Sequence, residues 1–100
     1  MTQSLFADSA ALAELCQKHH IRKLSLFGSV LKGVAGRDSD VDLLVEFEDG
    51  WTPGLLGLAG IEIELSSLLG GRRIDLRTAQ DLSPHFRGEV VRSAEIQYAA

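Results

Sequence analysis

The stretch LFGSVLKGVAGRDSDVDLLVEFED, residues 26–49, decides how the rest of the chain is read. Its second half holds the clearest strand, Asp40-Val-Asp-Leu-Leu-Val-Glu-Phe47. β-Formers fill Val41 to Phe47, and Asp49-Gly50 closes the run with turn chemistry. Side chains two apart on a strand share a face, so Asp40 and Asp42 point the same way. The first half opens on the end of a shorter alternating run, Lys23-Leu-Ser-Leu-Phe27, which Gly28-Ser29 breaks. At such a strand end the backbone amides and the Ser29 hydroxyl can hold a phosphate, with Gly28 letting the backbone come close. A turn or single helical turn to Gly33 and a polar loop over 35–39 join the halves.

Working outward, Asp8 or Ser9 caps a first helix that runs to about His19 and buries Leu12, Leu15 and Cys16. The basic cluster from Lys18 to Lys23, with His19 and His20, falls where that helix ends, which suits the negative end of its dipole. Beyond the central strand, Ile61-Glu-Ile-Glu-Leu65 alternates like a strand, yet Leu58, Ile61, Leu65 and Leu68 recur at helical spacing. The turn-free length between Pro53 and Gly70 favours a helix, capped near Thr52 and stopped by Gly70-Gly71. Its Leu-rich segment from Leu55 to Leu69 reads most simply as core, with any surplus apolar surface free to meet another subunit. Arg73-Ile-Asp-Leu-Arg77 is a third short strand. Ser83-Pro84 starts a last helix with Phe86, Val90, Val91 and Ala94 on its apolar face. The order predicts a two-layer α/β (α+β) fold: one domain over 1–100, with a short three-stranded or larger mixed sheet packed by helices.

With 100 residues the chain allows one domain and a single core. A net charge of −4 argues against a protein that coats nucleic acid, which needs a basic footprint to replace phosphate counterions. One cysteine, Cys16, cannot form an internal disulfide, so a reducing cytoplasm is the default. Neither a signal peptide nor an apolar run of membrane-spanning length is visible.

A third carboxylate, Asp75, sits between Ile74 and Leu76, where an uncompensated charge is costly to bury. Either it pairs with Arg72, Arg73 or Arg77, or, if the strands are neighbours, Asp40, Asp42 and Asp75 converge on a divalent cation. Hard oxygen ligands with room for phosphate oxygens suit Mg²⁺. A phosphate cradle beside an acidic metal site points to phosphoryl or nucleotidyl transfer. Cys16 reads as a small core residue, His19 and His20 as helix-end residues, and His85 as an exposed first-turn residue. Trp51 is left open between a half-buried plug and a partner contact.

Gly28-Ser29, ten residues, then Asp40-Val-Asp42 resembles the GS-x10-DxD signature of the DNA polymerase β-like nucleotidyltransferases. The surrounding text, together with GLAGIEIELSSLLGGRRIDL and a Leu-Ser-Pro helix, is similar to the minimal nucleotidyltransferases, the antitoxin partners of HEPN-domain toxins. The likeness covers roughly residues 20–95. It implies that Gly28 and Ser29 contact a nucleoside triphosphate, that Asp40 and Asp42 bridge two Mg²⁺ ions, and that Asp75 holds the catalytic ion and helps activate the attacking hydroxyl. The family often has Tyr-Ala-Arg-Gly after Gly-Ser; here Val30-Leu-Lys-Gly33 keeps a positive charge at Lys32 without the arginine fork. The resemblance further implies an adenylyltransferase that moves AMP from ATP to a tyrosine of a HEPN ribonuclease toxin, with which it forms a hetero-oligomer. Larger members attach an acceptor-gripping domain, for which these residues leave no room, so a folded protein acceptor is expected. Two alternatives stay open: a binding-only antitoxin, and nucleotidyl transfer to a small molecule such as an antibiotic with a separate acceptor-binding subunit.

Overall fold

The central strands give the sheet a helix-packed face and a second face that is buried at Ser25 and Leu44 and partly exposed at Asp42 and Asp75. The computed structural model describes residues 5–28, 31, 33, 40–51, 53–85 and 87–100. Helix α1 (Ser9–Lys18) leads into β1 (Ile21–Phe27) and β2 (Val41–Phe47). Helix α2 (Leu55–Leu68) crosses over to β3 (Ile74–Arg77); a 3-10 turn (Ala79–Asp81), helix α3 (Arg87–Ser93) and β4 (Glu95–Ala99) follow. The strands lie in the order β3-β2-β1-β4, with β2 and β3 parallel and the other neighbours antiparallel.

In this register Leu24 faces Val45, Leu26 faces Leu43, and Leu43 faces Leu76. Partners across a ladder share a face, so these residues form one apolar surface. Leu12, Leu15 and Cys16 of α1 and Ile61 and Leu65 of α2 join them in the core. The other face carries Ser25, Leu44, Asp42, Asp75 and Arg77, as the period of two requires. Asp8 caps α1 by accepting from the Ala11 amide at 3.0 Å. Cys16 is fully buried, and burial pushes its thiol up to about 12, which makes it an inert core residue. At the other end of α1, Lys18 Nζ and His19 Nε2 both reach Glu64 of α2, the histidine at 2.6 Å. The Lys18 hydrogen bond is the largest cause holding the Glu64 carboxyl below its ordinary value.

Several sequence expectations need correction. The first strand starts at Ile21, inside the basic cluster, because Arg22 points outward and pairs with Glu46 at 2.5 Å. Helix α2 starts at Leu55 with Gly54 as its N-cap, which offers no side-chain bond; Thr52 lies outside the described residues. Gly70 and Gly71 do end it, at φ of +71° and +92°, with the Gly71 amide donating to Ser66 O at 2.9 Å. Only part of its apolar sequence is core, since Leu55, Leu56 and Ile63 are exposed. The last helix begins at Arg87 and buries no residue; Val91 is exposed, Ala94 lies beyond its end, and Phe86 lies outside the described residues. The fourth strand was not anticipated. It pairs with β1 at the sheet edge with Ile96 half exposed, so burial imposes no contrast on its sequence. Among the described residues no helix is long and apolar enough to cross a membrane.

Strand β3 is held from its free side. The Leu76 amide donates to Glu62 Oε2 of α2 at 2.8 Å, closing an edge that would otherwise leave that donor without a protein partner. Glu62→Ala is therefore expected to lower stability by about 1–3 kcal/mol. Glu62→Gln, which keeps an acceptor oxygen, should retain most of it. Urea unfolding of the three proteins checks this, and equal midpoints for Ala and wild type would show the bond to be dispensable.

Candidate active site

The second face becomes chemically distinctive at one end, where β1 stops and β2 begins. Phe27, the last residue of β1, pairs with Asp42. Gly28 follows at φ +81°, a left-handed conformation that glycine adopts without a Cβ penalty. A Cβ there would overlap Asp42 Oδ2 and lie 3.0 Å from its Cγ. The turn after β1 therefore presses bare backbone against a carboxylate.

Parallel pairing of β2 and β3 places Asp42 directly beside Asp75. The entry to the pair is fixed by the Val41 amide, which donates to Arg73 O at 2.8 Å. Val41 is fully buried, and exposed Asp40 immediately precedes it. The Asp42 carboxyl is pushed above the ordinary aspartate value. Burial is the largest cause; the charge of Asp75 comes next, opposed by Arg77, and Asp40 and a hydrogen bond with Asp75 add to the rise. Arg77 Nε donates to Asp75 Oδ2 at 3.1 Å. Asp75 thus neighbours Asp42 and is ion-paired with Arg77.

The structure brings together Gly28, Asp42 and Asp75, with Asp40 near enough for its charge to act on Asp42. Among the described residues no three His, Cys, Asp or Glu side chains are gathered into a metal-holding group. Ser29, Val30, Lys32 and residues 34–39 lie outside the described residues. The donor set nevertheless fits a hard cation. It is composed of carboxylates whose mutual repulsion is only partly offset by one guanidinium, and it stands beside a glycine whose missing Cβ leaves that approach open.

Two contributors were not singled out from sequence. Arg77 was one of three arginines available to Asp75, although its i, i+2 spacing on a strand already put it on the same face. Glu62 gave no signal, because its role depends on how α2 crosses β3. Farther along the same face, one same-face step past Asp42, a cavity of about 650 Å³ is lined by Lys23, Ser25, Leu44, Glu46, Thr78 and Val91 among others. Trp51 stacks on the His20 ring, with centroids 3.6 Å apart and planes at 9°, and stays 52% exposed.

Comparison with known proteins supplies independent information. The family described as nucleotidyltransferase domain matches residues 9–96. The protein adenylyltransferase MntA of Thermococcus cleftensis is 39% identical over 79 residues, which cover 79% of this chain and 77% of that protein. A solved structure described as that of a minimal nucleotidyltransferase is 42% identical, with a TM-score of 0.69, covering 86% of this chain and 85% of the other. A chain in the solved complex of tri-AMPylated Shewanella oneidensis HEPN toxin with MNT antitoxin is 19% identical, with a TM-score of 0.62. That match covers 92% of this chain and 70% of the other, and at this identity it speaks for the fold alone.

Proposed function

The chain belongs to the nucleotidyltransferase domain family, and on that premise we propose that it is an antitoxin that transfers AMP from ATP to a tyrosine of a HEPN ribonuclease toxin. One observation carries the reading: Asp42 and Asp75 are side by side on the same sheet face, with the Gly28 backbone against Asp42. The 39%-identical relative named as a protein adenylyltransferase supports a protein acceptor.

Asp40, Asp42 and Asp75 would hold Mg²⁺, which when bound supplies positive charge to the attacking and leaving oxygens. The Gly28 backbone and the Ser29 hydroxyl would receive the outer phosphates, and Lys32 would add a positive charge for them. The phenolic oxygen of the acceptor tyrosine forms a bond to the α-phosphorus as the bond from that phosphorus to the bridging β-phosphate oxygen breaks. Pyrophosphate leaves, and the phenolic proton passes to the Asp75 carboxylate. Holding donor and acceptor in line is most of what such a site contributes. AMP on the toxin adds bulk and negative charge, which would repel its RNA substrate.

Intact-mass spectrometry of the purified toxin, incubated with this protein, ATP and Mg²⁺, tests the reading. Adducts of AMP mass are expected, absent when Mg²⁺ is chelated, and fragmentation should map them to tyrosine. A toxin held in a tight complex but unmodified would overturn the transfer reading in favour of inhibition by binding.

A further inference from the structure

The acidic site brings its own cation. Arg77 stands two residues after Asp75 on β3, on the same face, and donates from Nε to Asp75 Oδ2 at 3.1 Å. It is in register with Leu44, one same-face step beyond Asp42 along β2. It therefore lies alongside the carboxylates on the sheet. Its charge also acts on Asp42, where it opposes Asp75 and Asp40. The contact is easily broken: the arginine side chain is 46% exposed and the aspartate 33%, so water competes for both ends.

A divalent cation at Asp75 competes for Oδ2, the oxygen to which the guanidinium donates, and two positive groups a few ångströms apart repel. Arg77 must therefore yield when a cation binds. A guanidinium released on this face is suited to phosphate oxygens, which its planar fork can grip with two parallel bonds. We propose that Arg77 is a resident counter-ion that competes with the divalent cation for Asp75 and, once displaced, pairs with the phosphates of the nucleotide. This rests on the nucleotidyl-transfer reading and adds a residue and an order of events to it. Loading the site exchanges an internal ion pair for a cation and a guanidinium–phosphate contact, so cation and nucleotide assist each other.

The test separates the two halves by the sign of their effects. Binding of Mn²⁺ alone, without nucleotide or toxin, is followed by the resonance signal of the free ion for wild type, Arg77→Gln and Arg77→Lys. Arg77→Gln is expected to bind Mn²⁺ about three- to tenfold more tightly, because a competing charge is gone. The same variant at saturating Mn²⁺ is expected to bind a non-hydrolysable ATP analogue about tenfold more weakly. Arg77→Lys should stay near wild type for Mn²⁺ and fall between the two for the nucleotide, since it keeps the charge without the fork. A merely structural role for Arg77 would weaken both ligands. Unchanged or weaker Mn²⁺ binding by Arg77→Gln therefore overturns the proposal; if the glutamine variant does not fold, Arg77→Ala, which also removes the charge, takes its place with the same expected tightening. A wild-type protein that binds no Mn²⁺ overturns the counter-ion role and the metal assignment together. The expected Mn²⁺ and nucleotide series alongside an unmodified toxin would uphold the counter-ion role and remove the AMP-transfer reading.

Discussion

Asp42→Asn is expected to abolish AMP transfer while leaving the protein as stable as wild type or more so. The two expectations share a cause. Asp42 is partly buried beside Asp75 and near Asp40, and its carboxyl is raised above the ordinary value. A raised aspartate binds its proton more tightly in the folded state than in the unfolded one. Its contribution to stability is present at low pH and lost as pH rises through the folded value. At neutral pH the ionised side chain is therefore held at a cost, which a neutral amide of the same shape removes. The cost is kept because the charge is needed: an amide oxygen is a far poorer ligand for a hard cation than a carboxylate. Loss of transfer by about a thousandfold or more, about 4 kcal/mol of barrier, is the expected scale. Thermal melts of both proteins at neutral pH and at about pH 3–4, where aspartates protonate, should show the stability difference shrinking on the acid side. A variant that still modifies the toxin at the wild-type rate would sink the proposed function. A variant that melts well below wild type would show that Asp42 supports the fold.

This balance was only half legible in the sequence. Asp40-Val-Asp42 announced a strand with two acids on one side, because β-branched residues and the Asp49-Gly50 turn leave little alternative. That Asp75 would stand beside Asp42 depends on parallel pairing of β2 with β3, a long-range contact that no local pattern encodes. The helical reading between Pro53 and Gly70 made it plausible, since a parallel neighbour needs a crossover helix. The same helix misled in another respect. Leu55, Leu56 and Ile63 are as apolar as Ile61 and Leu65, and composition alone does not say which of them the core receives. Strand β4 was hidden for a related reason. Ala94 alone separates it from α3, and with one neighbour and a half-exposed face its residues show no contrast for a reader to detect. The GS-x10-DxD spacing was legible, but the reason it begins with glycine was not, because that reason is a contact.

Gly28→Ala is the change that isolates this contact. Two penalties fall on it: an alanine at φ +81° is in the strained left-handed region, and its Cβ would lie on the Asp42 carboxylate. Gly33 offers the control. It has φ +74°, and a Cβ there meets nothing within 4 Å among the described residues. Gly33→Ala should therefore carry only the backbone penalty, about 1–2 kcal/mol, and retain transfer within a few-fold. Gly28→Ala carries the same penalty and must also displace Asp42 or bend the turn away from it. Either response moves a carboxylate relative to Asp75, and misplacement by about 1 Å can cost a site of this kind about a hundredfold. The expected result is comparable melting for the two variants, within about 1–2 kcal/mol, with transfer at least about a hundredfold lower for Gly28→Ala. Measuring Mn²⁺ affinity on the same samples locates the damage. Weakened binding in Gly28→Ala alone would mean that glycine at this position is demanded by the geometry of the acids, and the opening of the sequence motif would be explained by its end. Equal transfer by both variants would show that the turn can relax away from Asp42, and that any phosphate held after β1 is gripped by other groups.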